Sequence, residues 1–330
     1  MKAYIKHIEK YLPSKIEENS NKRLVKKTGI IKRHICSDEQ IASDLAFNAA
    51  NKLLERIDKE KVEFILYCTQ SPDYYLPTTA CILQYRLGLN ENCGALDYNL
   101  GCSGYIYGLS LAKGLIESGQ VKNVLLITSE TYSKYINDKD HSVRPLFGDA
   151  ATATFIEGID ADEEGIYGFV LGTKGSGYKN LIVPVGGMVQ RYQDTDVEIE
   201  TDDFGNVRTN RDLHMNGAAI SDFALSVVPE TLNEILEKTN LSRENIDYYV
   251  FHQANKFMLN YLQMTCDLMD FPYWNDVKEY GNTVSNSIPI ALQDMMAQSN
   301  GKKISKVMSI GFGVGLSWGG CIIDMSKFER

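Results

Sequence analysis

The chain has 330 residues, 44% hydrophobic, 23% charged and 10% aromatic, which is enough apolar material for about two domains' worth of core. Its formal charge of −9 argues against nucleic acid or an anionic membrane as the main partner, because phosphate binding needs a basic face. Seven cysteines (Cys36, Cys68, Cys81, Cys93, Cys102, Cys266, Cys321) are odd in number and lack a CxxC pair, so neither a disulfide framework nor a metal site is expected. The thiols should be reduced and mostly buried.

The first residues, MKAYIKHIEKYLP, contain no continuous apolar run of a secretory signal, and a cytoplasmic protein is expected. Lys22, Arg23, Lys26, Lys27, Lys32 and Arg33 then form a basic run that reads equally as a solvated face or a docking surface. Residues 41–57, 103–118 and 224–238 are amphipathic helical segments. Between them, residues 62–69, 123–128, 248–252 and 306–312 are apolar enough to be strands buried on both faces. Residues 186–216 carry seven acids and three arginines without a period, which suggests a surface excursion or a lid. The most apolar stretch, 307–325, is broken by repeated glycines and reads as two strands around a tight turn rather than a membrane span.

This is an α/β pattern, and it echoes itself. A shift of about 183 residues lays 62–67 on 246–251, 124–127 on 307–310 and Gly108-Leu109 on Ala291-Leu292. Two related halves, 1–165 and 166–330, are therefore expected around a pseudo-twofold axis, with the join near residues 158–168.

Cys102 lies in Gly101-Cys102-Ser103-Gly104, where a strand ends at about Asn99 and a helix begins at once. A helix N-terminus favours thiolate, and neighbouring amides can cradle an oxyanion; the competing reading is an inert buried cysteine. Cys68, Cys81 and Cys321 lack the flanking glycines and are read as inert. His252 ends an apolar strand, where α/β folds place ligands, although a lone histidine is more often structural. Asn282, in Tyr280-Gly281-Asn282-Thr283, is by itself a turn residue. In the echo it falls near Cys102, so both halves would deliver polar groups to one interface. The glycines of residues 311–320 fit neither a phosphate loop nor a dinucleotide fingerprint and suit a second oxyanion amide.

Taken together, Thr28-Gly29-Ile30 with Arg33-His34, Gly101-Cys102-Ser103-Gly104, Phe147-Gly148-Asp149-Ala150, His252-Gln253-Ala254-Asn255, Gly281-Asn282-Thr283 and Phe312-Gly313 through Trp318-Gly319 resemble β-ketoacyl-acyl-carrier-protein synthase III, of the thiolase superfamily. The resemblance implies a duplicated five-layer αβαβα sandwich and a homodimer. It implies that Cys102 is acylated by a thioester primer and that His252 and Asn282 donate to the carbonyl of a malonyl extender. The acyl oxyanion would sit between the amides of Cys102 and Val314. CoA or phosphopantetheine thioesters are the implied substrates, with an acyl-CoA or an acyl carrier protein as partner, and no further cofactor or metal.

Departures from the family concern partners. Arg23 stands where a tryptophan holds adenine, Lys27 replaces an arginine, a second adenine-contacting arginine falls near His141, and Phe257 replaces another. Asn255 and Phe312 are further candidates for substrate contact. Leu76 matches a residue that closes the primer pocket across the dimer, where phenylalanine is common; its smaller volume implies primers longer than acetyl.

Four other readings remain open on the sequence. Cys102 could pass its acyl group to a hydroxyl or amine. A 3-hydroxy-3-methylglutaryl-CoA-synthase-like reaction is disfavoured because DYYLPTTAC lacks the glutamate it needs. A cysteine hydrolase would use Cys102, His252 and Asn282 in papain-like order without the papain signature, and a degenerate member would only bind acyl chains.

Overall fold

A computed structural model describes residues 1–299 and 302–329. The first half of the chain runs β1 (Lys2–Tyr11), β2 (Lys15–Glu18), α1 (Lys22–Thr28), β3 (Lys32–Ile35), α2 (Ala42–Leu54), β4 (Phe64–Cys68), α3 (Thr79–Arg86), β5 (Gly94–Tyr98), α4 (Gly104–Glu117), β6 (Asn123–Glu130) and β7 (Ala150–Ile159). The remainder runs β8 (Ile166–Thr173), β9 (Leu181–Ile182), β10 (Ile199–Thr201), β11 (Val207–Thr209), β12 (His214–Met215), α5 (Gly217–Thr239), β13 (Tyr248–Phe251), α6 (Lys256–Thr265), α7 (Val277–Tyr280), α8 (Ser287–Gln298), β14 (Lys306–Gly313) and β15 (Ser317–Asp324).

The apolar runs become central strands because both of their faces are covered. Successive side chains of a strand point to opposite faces. Leu66, Val124 and Leu126 accordingly face inward onto α4 and α8, while Ile65, Tyr67, Leu125 and Ile127 face outward under α2 and α3. The second sheet does the same: Val250, Val307, Cys321 and Ile323 join the inner cluster, and Tyr249, Phe251, Met308, Ile310 and Ile322 pack under α5 and α6. The result is helices, sheet, helices, sheet, helices, the five-layer αβαβα architecture.

Strand order is β1-β7-β6-β4-β5 in one sheet and β8-β15-β14-β13 in the other. β4 pairs parallel with β6 through Phe64 and Val124, and β13 pairs parallel with β14 through Tyr248 and Val307, the same register in both halves. Outside β13, where β5 would have its counterpart, a single parallel bridge joins Tyr249 to Tyr273. Each sheet therefore ends its parallel strands on the same side, beside α4 in one half and α8 in the other.

The acidic excursion is largely exposed. It is built from the β10–β11 hairpin, a short pairing of β12 with β9, and local hydrogen bonds in which Asp202 accepts from the backbone of Phe204 and Asn206. The basic run divides. α1 keeps Lys22, Arg23, Lys26 and Lys27 exposed, whereas Arg33 is buried, donating to the carbonyls of Arg144 and Phe147 and pairing with Glu17, and Lys32 pairs with Glu279 at 2.9 Å. Arg33 therefore belongs to the interior and not to a docking face. Six of the seven thiols are buried and Cys81 is exposed. No helix among the described residues is long and apolar enough to cross a membrane.

Candidate active site

Cys102 occupies the turn between β5 and α4. The helix starts so close to the sheet that a methyl group on Gly104 would meet the Cys68 sulfur at 2.4 Å, and one on Gly108 would meet the Tyr98 hydroxyl at 2.2 Å. Glycine is what lets the turn bring Cys102 beneath the strand ends. The thiol is buried and receives hydrogen bonds from its own backbone amide and from that of Val314. Those donors do not produce a thiolate: burial first, and then the neighbouring Glu130 carboxyl, push the Cys102 thiol up to about 12. Burial of the sulfur thus works against the dipole of the helix that begins at Gly104, which favours the thiolate. Glu130 is itself wholly buried and pushed up to about 8 by that burial.

His252 follows β13 directly and is buried. Its ring stands edge-on to Phe312, centroids 5.3 Å apart, and its Nδ1 lies 2.7 Å from the Ser287 hydroxyl. Burial lowers the imidazole to about 3, so it is neutral across the physiological range. With Nδ1 engaged, Nε2 is the nitrogen left for the cavity.

Asn282 follows Gly281, whose φ of 66° turns the chain out of α7. The Phe147-Gly148 segment holds it: the Asn282 amide donates to the Leu146 carbonyl at 2.8 Å, and the Gly148 amide donates to the Asn282 carbonyl at 3.0 Å. A methyl group at Gly148 would lie 2.5 Å from the Tyr280 carbonyl, so this seat also requires glycine. The Asn282 side-chain oxygen accepts from the Val284 amide at 2.9 Å, which leaves its NH₂ group as a free donor.

One cavity of about 490 Å³ gathers these groups. Cys102, His252, Asn282, Phe312 and Gly313 form its buried end, and the exposed Lys27, Phe257 and Ser142 stand at its rim. Asn255 lines it as well, while its side-chain oxygen caps α6 through the Met258 amide at 2.9 Å. Arg23 is exposed on α1 but lies outside the lining.

A second cavity of about 740 Å³ lies against the other side of the Cys102 turn, lined by Val314, Gln70, Tyr132 and Tyr135 among others. A methyl group on Gly101 would touch both Val314 and Gln70, so the turn itself forms the wall between the two spaces. Tyr74 and Tyr75 line this second cavity, but Leu76 lines neither and is 82% exposed. Sequence reasoning passed over Ser287 and Glu130. Only Ser287 left a trace, as the hydroxyl residue at the start of the helix after Asn282. Among the described residues no group of three or more His, Cys, Asp or Glu is placed to hold a metal.

Comparison with known proteins agrees with this arrangement. Residues 96–175 match the family described as 3-oxoacyl-[acyl-carrier-protein (ACP)] synthase III, and residues 236–325 match its C-terminal counterpart. The chain is 35% identical to β-ketoacyl-[acyl-carrier-protein] synthase III of Caldanaerobacter subterraneus subsp. tengcongensis over 328 residues, covering 96% of each. It is likewise 35% identical to the enzyme of that name from Clostridioides difficile, covering 98% of each. A 2.1 Å crystal structure of a 3-oxoacyl-(acyl-carrier-protein) synthase III superposes with a TM-score of 0.96 at 42% identity, over 98% of this chain and 100% of the other. A buried thiol between two amides, a neutral imidazole and a side-chain amide across one cavity, and a duplicated five-layer sandwich thus meet in a chain that belongs to the 3-oxoacyl-[acyl-carrier-protein] synthase III family of condensing enzymes.

Proposed function

We propose that the chain joins a primer acyl group to a malonyl thioester with loss of CO₂, using Cys102 as nucleophile and His252 and Asn282 as hydrogen-bond donors. The observation that carries this reading is the shared buried end of the 490 Å³ cavity, where the thiol and both neutral donors meet.

In the first half-reaction the Cys102 sulfur bonds to the acyl carbon of a primer thioester. The carbonyl oxygen becomes an oxyanion facing the amides of Cys102 and Val314, which already aim at the sulfur. Collapse expels the donor's sulfur, and the Cys102 proton leaves with it as the free thiol. Burial disfavours a free thiolate here, so the proton is lost as the bond to carbon forms. In the second half-reaction the malonyl carboxylate breaks away as CO₂ and its electron pair moves onto the thioester carbonyl. His252 and Asn282 stabilise the enolate oxygen, and being fixed beforehand they need little reorganisation. The enolate carbon then bonds to the acyl carbon, the carbon–sulfur bond to Cys102 breaks, and a proton restores the thiol. The product is a 3-oxoacyl thioester.

The first cavity would take the pantetheine arm of a CoA or carrier-protein thioester, with Lys27 at its mouth, and the second would take the primer chain. The 740 Å³ of that second space supports primers longer than acetyl, with Leu76 completing it from a partner subunit. The enzyme would work as a cytoplasmic homodimer without a cofactor beyond its thioester substrates. Each subunit would divide into halves 1–165 and 166–330, a division supported by the break between β7, ending at Ile159, and β8, beginning at Ile166.

The test is intact-protein mass spectrometry after incubation with acetyl-, butyryl-, hexanoyl- and octanoyl-CoA. The expected result is an acyl adduct that maps to Cys102, is absent in Cys102→Ser, and forms with butyryl and longer chains as well as acetyl. An adduct with acetyl alone would refute the primer assignment, and none with any donor would leave a protein that only binds acyl chains.

A further inference from the structure

We infer that Ser287 is a positioning residue that holds His252 in the tautomer carrying its proton on Nε2, so that the imidazole meets the thioester carbonyl as a donor. The inference rests on the reading of His252 given above. A neutral imidazole has one N–H and one bare nitrogen, and which is which depends on the partner of the other. Here the sole recorded hydrogen-bond partner of Nδ1 is the Ser287 hydroxyl at 2.7 Å, with both residues 2% exposed.

The direction of that bond follows from what else Ser287 can reach. A buried hydroxyl needs an acceptor for its proton. In a helix its usual alternative is a carbonyl one turn back. For Ser287 that is Thr283, whose carbonyl already accepts from the Asn286 backbone amide at 3.0 Å and from the Asn286 side chain at 3.1 Å. The Val284 carbonyl, one residue nearer, is taken by the Ser287 backbone amide. Among the described residues the hydroxyl makes no other hydrogen bond, so Nδ1 is its acceptor. If Nδ1 carried the proton, the serine hydrogen would have nowhere to go.

The ring's surroundings support the same assignment. No carboxylate faces it to draw a proton onto Nδ1, in contrast to the histidine of a hydrolase triad. The edge-to-face contact with Phe312 and the serine bond together fix the ring plane, as Val284 fixes the Asn282 amide. Each of the two donors thus has a neighbour that removes its acceptor atom from play, Ser287 for Nδ1 and the Val284 amide for Oδ1. Both neighbours come from the segment that follows Asn282, so one stretch of chain orients the whole donor pair.

Nitrogen-15 NMR of the resting protein labelled on histidine, with His252 assigned by its loss in His252→Ala, reads the tautomer without turnover. An unprotonated Nδ1 and a protonated Nε2 are expected; a protonated Nδ1 would overturn the inference. In Ser287→Ala the expected signature is a mixture of tautomers, with kcat for condensation at least tenfold lower, KM for the malonyl thioester within twofold and the Cys102 acylation rate unchanged. Adding Ser287→Ala to His252→Ala should then cost nothing more, because the serine acts through the histidine. A further loss in the double variant, or condensation in Ser287→Ala within twofold of the native rate, would show a merely structural serine. Should the native enzyme release no CO₂ from malonyl thioesters at all, the reading of His252 fails while the NMR result still decides the tautomer.

Discussion

At the scale of single residues, the nucleophile's surroundings are tighter than its chemistry alone demands. A methyl group on Gly313 would lie 2.9 Å from both the Cβ and the sulfur of Cys102, inside van der Waals contact. Gly313→Ala must therefore displace the thiol from its two amides, and misplacing a nucleophile by even about 1 Å costs on the order of 100-fold in rate. The expected outcome is Cys102 acylation slowed at least about tenfold, read by a mass-spectrometric time course, with the urea midpoint little changed; native acylation rates would contradict the geometry. Glycine flanks made Cys102 conspicuous in the sequence, and the His-Gln-Ala-Asn and Gly-Asn-Thr segments marked their residues through family resemblance. What the sequence does not show is burial, which raises the Cys102 thiol against the pull of its amides and keeps His252 neutral.

Elements show the same division between local pattern and tertiary context. β4, β6, β13 and β14 were readable because strands covered on both faces are apolar throughout. β1 was not, although it is largely buried, because a register shift between Ile5 and His7 interrupts its alternation and its charged residues find partners elsewhere, as Glu9 does with Lys52 and Arg56. The 186–216 excursion has no period because side-chain hydrogen bonds to its own backbone, such as those to Asp202, shape it rather than a buried face. Several polar contacts join elements of the two halves, among them one set at Asn286. Asn286, just before α8, accepts from Thr128 of β6 at 2.6 Å and donates to the Ala150 carbonyl of β7 at 3.0 Å, with all three residues fully buried. Asn286→Ala removes both bonds, although Thr128 keeps the Thr152 hydroxyl, and roughly 1 to 2 kcal/mol of stability should be lost, measured by urea unfolding. A loss under about 0.5 kcal/mol would mean that the network is not part of what holds the layers together.

For the whole molecule, the internal echo was real information. Two of the weak matches correspond to two sheets with equivalent pairing, Phe64 with Val124 and Tyr248 with Val307, and the third falls on α4 and α8. The halves differ at their outer edges. β5 leaves Leu96 exposed, and Tyr74, Tyr75, Leu76 and Tyr85 are exposed as well, large apolar side chains that a face against a second copy would cover. A partner copy over this face would bring Leu76 to the second cavity. Sedimentation should accordingly give twice the chain mass at micromolar concentration; a monomer would remove Leu76 from the primer pocket. The net charge of −9, which turned attention from nucleic acid, is an average over a surface whose α1 remains basic beside the mouth of the first cavity.

The central claim is that one buried cavity end joins a nucleophile to two donors that serve decarboxylation. Release of CO₂ from a carboxyl-labelled malonyl thioester, measured on enzyme already acylated at Cys102, tests it most directly. The native protein should release CO₂ and form a 3-oxoacyl thioester. His252→Ala and Asn282→Ala should each lose about 100-fold or more in that step while still accepting the acyl group. CO₂ release at native rates in both variants, or transfer of the acyl group to a hydroxyl or amine with no CO₂ at all, would contradict the account.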